Sequence, residues 1–225
     1  MEVTRLFDVL HYQKEKHPQQ VAIASIKNGE WWKASTDELI TLSNNLSLGL
    51  LKLGIQKGDK VAVVTSANRT EWNICDQGIG QIGAINVPLY PTISTKDYEY
   101  ILNHSEARIC IVSDAKLYEK VKNLKATVPG LIDIYTFDEI EGTKHFTDLL
   151  RAGEKTEQAE VEKRRESLLA DLFSLLEINS ERDDSKADKE HPFGPGPVQA
   201  GERQPRPCRR RRGAAAGGGA DAPHH

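Results

Sequence analysis

Cysteine, methionine and aromatic residues are scarce in this 225-residue chain, which has three Cys, one Met and 6% Phe, Trp and Tyr. The cysteines, Cys75, Cys110 and Cys208, are odd in number and far apart. That spacing argues against a disulfide framework or a zinc site and suits the reduced thiols of a cytoplasmic protein. No apolar run approaches the roughly 18 residues of a membrane-spanning helix, and the opening Met-Glu-Val-Thr-Arg lacks the apolar core of a signal peptide. Charge of one sign is also lacking. Residues 1–150 carry 16 Lys and Arg against 19 Asp and Glu, and residues 151–225 carry 14 of each. Bulk charge therefore gives no reason to expect a nucleic-acid or membrane partner.

What is present is a regular alternation of short apolar runs and amphipathic stretches. Val61-Ala-Val-Val64, Arg108-Ile-Cys-Ile-Val112 and Leu131–Tyr135 read as strands buried on both faces. Pro88 and Pro91 have no amide donor, which makes Val87–Tyr90 extended. Between these lie helical patterns. Thr4 caps a helix to about Lys16, with Leu6, Phe7 and Leu10 inward. Ser35-Thr-Asp-Glu38 is a capping box ahead of Leu39, Leu42, Leu46, Leu50 and Leu53, and Gly54 is the stop. Asn68 and Glu71 read as a second box, followed by an apolar stripe of Trp72, Cys75, Ile79 and Ile82. Ser94 or Thr95 caps a helix to about Asn103 with Tyr98, Ile101 and Leu102 inward, and Asp114–Lys125 is a Lys-rich helix. Near the start, Asn28-Gly29 joins Val21–Ile26 to Glu30–Ala34 as a hairpin. Strand and helix alternating at this spacing give an α/β fold, a parallel sheet flanked by helices on both faces.

Candidate chemistry is sparse. Gly78-Ile-Gly80-Gln-Ile-Gly83 has the spacing of a dinucleotide-binding loop, but the glycines fall late in a helix already begun, where close helix packing is the expected role. His11, His17, His104 and His145 are scattered without metal-ligand spacing, and no serine sits in a G-x-S-x-G elbow. His104 ends its helix, where a histidine favours the dipole. Cys75 and Cys110 read as inert core thiols. Asn68, Arg69 and Glu71 form the most polar group, explained by capping and by pairing of Arg69 with a nearby acid. No catalytic, cofactor-binding or metal-ligating residue is assigned.

Gly58-Asp-Lys-Val-Ala-Val-Val-Thr-Ser-Ala-Asn-Arg-Thr-Glu-Trp72, followed by Gly83-Ala-Ile-Asn-Val-Pro-Leu-Tyr-Pro-Thr92, resembles the amino-terminal part of long-chain acyl-CoA synthetases of the AMP-binding, adenylate-forming superfamily. The resemblance implies that residues 1–150 are the first α/β subdomain of the adenylating domain. Residues 151–176 are then a charged helical linker and the remnant of the strand before the phosphate loop. It also implies a family reaction in which ATP and Mg²⁺ activate a fatty acid as an acyl-adenylate that is passed to coenzyme A. Asp171-Leu-Phe-Ser-Leu-Leu176 resembles the lead-in to the phosphate loop. Where members read roughly Y-T-S-G-T-T-G-x-P-K-G, this chain reads Glu177-Ile-Asn-Ser-Glu-Arg-Asp-Asp184.

The charge run Glu154–Glu166 reads as a solvated helix face. Residues 191–225 hold 7 Gly and 6 Pro and include Arg209–Arg212, so 177–225 is expected to be a disordered tail, and the change near residues 175–178 to be a frameshift or chimeric junction. These readings make the chain a truncated fatty acid–CoA ligase, inactive alone. The alternative is a non-enzymatic module pairing with a separately encoded remainder. In either case an uncovered apolar face makes the unit prone to self-association.

Overall fold

The computed structural model describes residues 3–27, 29–154, 158–168 and 170. Expectations for Asn28, for the lead-in at 171–176, for the 177–225 tail, for Cys208 and for Arg209–Arg212 lie outside the described residues.

A hairpin of β1 (Ile23–Lys27) and β2 (Glu30–Ala34) precedes the main sheet. That sheet contains β3 (Lys60–Val64), β4 (Ile85–Leu89), β5 (Ala107–Val112), β6 (Asp133–Thr136) and β7 (Lys144–His145). The strands are all parallel, in the order β4-β3-β5-β6-β7. Alternating side chains supply two cores. Val61, Val63, Ile109 and Ile111 meet one set of helices; Ala62, Val64, Cys110 and Val112 meet the other. On the first face lie α2 (Thr36–Lys52), α3 (Thr70–Gly80) and α6 (Phe146–Glu154). On the second lie α4 (Thr95–His104) and α5 (Ala115–Val121). The two-faced parallel sheet is the expected one, with β7 as an addition that two residues could not announce by periodicity.

Caps mark most helix starts as the sequence implies. Ser35 accepts from the Glu38 amide while the Glu38 carboxylate accepts from the Ser35 amide, and Ser94 with Asp97 does the same. Asp114 accepts from the Leu117 amide at the head of α5, which ends at Val121, short of the expected Lys125. Gly54 adopts φ +83°, a conformation that costs glycine little and so ends α2.

Four expectations fail. Thr4 is not a cap, because Phe7 holds the N-cap position with no side-chain bond and the Thr4 hydroxyl donates to the Asp8 carboxylate instead. Asn68 is not a cap, because α3 starts one residue later with Arg69 at its N-cap and no side-chain bond there. Leu6 faces solvent at 83% exposed, since helix α1 begins only at Asp8 (Asp8–Lys16) and the preceding turn rotates Leu6 away from Leu10. The charge run is only partly solvated. In the helical stretch 159–168, Val161 is fully buried and Arg165 nearly so.

Helices α2 and α6 pack backbone to backbone. A Cβ on Gly153 would stand 1.9 Å from the Asn45 carbonyl oxygen, and one on Gly49 would stand 2.2 Å from that of Leu149. A similar approach explains the glycine motif: a Cβ on Gly78 would meet the Ser43 oxygen at 2.9 Å, while Gly83 takes φ +76° past the end of α3. Ser47 seals this second seam, donating to the Gly78 carbonyl at 2.7 Å and accepting from Gln81 Nε2 at 2.7 Å.

Candidate functional site

The strand order has one reversal. β3 leads to β4 on one side, and the next crossover carries the chain back past β3 to β5 on the other. Ligands of open parallel sheets gather at the carboxyl ends of the strands beside such a reversal. Here a cleft of about 650 Å³ opens there, lined by residues that include Lys27, Ser66, Arg69, Asp114, Asp138 and His145. A second, more apolar cleft of about 520 Å³ shares Asn68 and Arg69 with it and continues along Trp72 and Pro88–Pro91.

Arg69 is the hub of the first cleft. Its Nη2 lies 3.0 Å from Glu71 Oε1, and its Nη1 lies 2.6 Å from Asp138 Oδ1 and donates to the Ser113 carbonyl at 3.4 Å. The guanidinium stands 5.5 Å from the centre of the Phe137 ring. Glu71 is 4% exposed and also binds Lys27 at 2.9 Å, which ties the β1–β2 hairpin to α3. Burial pushes the Glu71 carboxyl up, but the bonds from Arg69 and Lys27 outweigh it and bring it down to about 2. The expected pairing of Arg69 with an acid is therefore present, whereas Glu71 serves as its partner and not as half of a capping box.

Asp114 accepts from both the Ser66 and the Ser113 hydroxyls at 2.6 Å. Its carboxyl is raised by burial and lowered further by those hydroxyls and the α5 amides, with a net shift downward. His145 Nε2 donates to the Phe137 carbonyl at 2.7 Å, which leaves Nδ1 to accept from the Thr147 hydroxyl at 2.6 Å and amide at 3.2 Å. Both ring nitrogens are thus engaged, and the Ser66, Asp114 and His145 side chains do not make a nucleophile with its base. Nor does the cleft suit a triphosphate. Its lining carries four carboxylates, Glu71, Asp114, Asp138 and Glu139, against the two cations Lys27 and Arg69, and those cations are already paired.

The remaining candidates are structural. His104 closes α4 and stacks on Tyr100 with ring centres 5.7 Å apart. His17 follows α1 and meets the Tyr12 ring edge-on. Cys75 and Cys110 are fully buried free thiols; burial pushes Cys110 up to about 12 and Cys75 well above its usual value. Among the described residues, no three His, Cys, Asp or Glu side chains are grouped to hold a metal ion. None of their helices is long and apolar enough to cross a membrane. The hub and the clefts were missed from sequence because Lys27, Arg69, Asp114 and Asp138 come from four separate segments, the end of β1 and the turns after β3, β5 and β6. The only local signal was the cluster of Asn68, Arg69 and Glu71.

Sheet order and crest clefts define an open, doubly wound α/β protein. More specifically, the chain belongs to the AMP-binding enzyme family, which matches residues 10–193, past residue 176 where the sequence resemblance was expected to end. It is 31% identical over 151 residues to the long-chain-fatty-acid–CoA ligase FadD15 of Mycobacterium bovis, covering 67% of this chain and 25% of that protein. It is 33% identical over 162 residues to the 4-coumarate–CoA ligase-like 1 of Arabidopsis thaliana, covering 72% and 28%. The apo structure of MbtA from Mycobacterium smegmatis superposes with a TM-score of 0.59 at 20% identity, over 67% of this chain and 28% of that one, a likeness of fold alone. The chain spans about a quarter of the length of the curated relatives it matches.

Proposed function

We propose that this chain is the amino-terminal part of a long-chain fatty acid–CoA ligase and that by itself it does not adenylate a fatty acid. Residues 1–150 are then the first subdomain and 151–176 the approach to the phosphate loop. The reading rests on one observation. In Glu177–Asp184, the stretch after the Leu176 lead-in, Ser180 is the one residue of the Thr, Ser, Gly and Lys types with which members hold ATP phosphates, and the glycine-rich run with its lysine is not there. In the complete reaction a fatty-acid carboxylate attacks the α-phosphorus of ATP, pyrophosphate leaves, and the thiol of coenzyme A then displaces AMP. Mg²⁺ and the phosphate loop neutralise charge at the reacting phosphorus, and positioning with charge stabilisation supplies most of such catalysis. The acidic, internally paired cleft supports the same conclusion, because it offers no free cation to a phosphate chain. The free thiols Cys75 and Cys110 support a reducing, cytoplasmic setting.

Acyl-dependent exchange of labelled pyrophosphate into ATP tests the proposal. The purified chain should give no exchange above a buffer control, and exchange by this chain, free of host ligases, would overturn it. A second reading, a subdomain that works by pairing with a separately encoded remainder, is favoured by the exposed Leu6, Trp31 and Tyr90. It predicts that adding the remaining portion of a relative restores exchange.

A further inference from the structure

Asp8 is 1% exposed, and a carboxylate so buried must be paired. It accepts from Arg5 Nε at 2.9 Å, Arg5 Nη2 at 2.8 Å, the Arg5 amide at 3.0 Å and the Thr4 hydroxyl at 3.1 Å. A fifth bond comes from 157 positions away: Arg165 Nη2 reaches Asp8 Oδ1 at 3.2 Å from the helical stretch 159–168. Arg5 also donates through Nη1 to the Arg165 carbonyl, and both guanidinium groups lie over the Phe7 ring, at 4.6 and 5.8 Å. The second terminal nitrogen of Arg165 stands 3.4 Å from His11 Nδ1 and 3.2 Å from Glu162 Oε1. An arginine can only donate, so the contact with His11 requires Nδ1 to be an acceptor, which means a neutral ring.

We propose that Asp8, His11 and Arg165 form a latch holding helix 159–168 on α1, and that protonating His11 opens it. A second proton on the ring turns Nδ1 into a donor facing a donor and sets a cation against the buried guanidinium. The other charges around His11 are Asp8 and Lys14 on α1 and Glu162 on the docked helix. Lys14 is itself bound to Asp37 of α2 at 2.6 Å, and Arg5, ahead of α1, is bound to Asp8 Oδ1 at 2.8 Å. Burial lowers the His11 pKa below its ordinary value and Arg165 lowers it further, against an upward pull from Glu162 and Asp8. A histidine lowered in this way leaves the docked state at full strength above the free value near 6.5 and weakens it as pH falls below that value. Asp8 stays charged throughout this window: burial raises its carboxyl, but Arg5 and Arg165 hold it far below the usual carboxylate range. The stretch 159–168 comes just ahead, in sequence, of Asp171, where resemblance to the phosphate-loop lead-in begins. Resting on the family reading, the latch therefore sets how that stretch is presented.

Hydrogen exchange of the full chain, corrected for intrinsic rates and read on peptides covering 159–168, tests the latch, with β3 and β5 as internal controls. Between pH 7.5 and 5.5 the helix should lose protection below the free histidine value, by at most about tenfold per pH unit for the one proton taken up, while β3 and β5 keep theirs. His11→Gln, which can accept from Arg165 and cannot be protonated, should keep the helix protected at both ends of this range. Arg165→Met removes only the remote partner and should free 159–168 at pH 7.5 with β3 and β5 unchanged, so the test survives if Asp8→Asn fails to fold. The same acid loss in His11→Gln overturns the pH switch. Unchanged protection of 159–168 in Arg165→Met overturns the latch.

Discussion

Glu71 shows how a single carboxylate can be misread from its neighbours in sequence. Asn68 and Glu71 have the spacing of a capping box, and Ser35 with Glu38 has it too, but only the second pair caps. At Glu71 two cations outbid the helix amide: Arg69 two residues earlier and Lys27 on the hairpin. Arg165 is a parallel case, since the partner that permits its burial lies 157 positions away, beyond any local pattern. Side chains whose state depends on such distant partners are where sequence reading fails here. Because the Glu71 carboxyl is lowered to about 2, its contribution is present above the free value near 4.3 and is lost as pH falls through about 2. Glu71→Gln should therefore destabilise the fold by roughly 2–3 kcal/mol at pH 7, with the difference shrinking below about pH 4. Urea titrations at pH 7 and pH 3 check both the size and the trend.

Elements were legible where signals were local and repeated. Helix α2 carries a capping box, an apolar face on which Leu39, Leu46 and Leu50 are buried, and a glycine stop, and all three appear as read. Strands β3 and β5 are apolar runs buried on both faces. By contrast, β7 has two residues and no period to read, and α1 starts late because Asp8 is held by the turn before it. Losing the Ser35 cap should cost about 1 kcal/mol, so Ser35→Ala should lower the melting midpoint by several degrees at most. The α2–α6 seam should be far less tolerant. Gly153→Ala puts a methyl onto a backbone oxygen that cannot step aside, and overpacking of that kind costs about 1–3 kcal/mol or more. Thermal denaturation followed by circular dichroism should rank Gly153→Ala well below Ser35→Ala, and an equal or smaller loss would contradict the close approach.

On the scale of the whole molecule, fold class and family could be read because both are written in order and spacing. Alternating strands and helices called for the two-faced parallel sheet, and the Gly58–Trp72 stretch called for the family. The clefts could not be read, because they exist only once strand order brings four distant segments to one edge. That assembly also has a history in time. Polar partners of Arg69 come from residues 71, 113 and 138, so the hub cannot close until β5 and β6 have docked beside β3. Long-range parallel pairing is the slow part of folding, and contacts that wait for it form after the barrier has been crossed. Arg69→Met should therefore speed unfolding about tenfold or more and leave the refolding limb of a chevron nearly unmoved. The crest of the sheet is then the last region to set and the first to loosen, so the lifetime of the folded chain is timed there while its core strands remain paired.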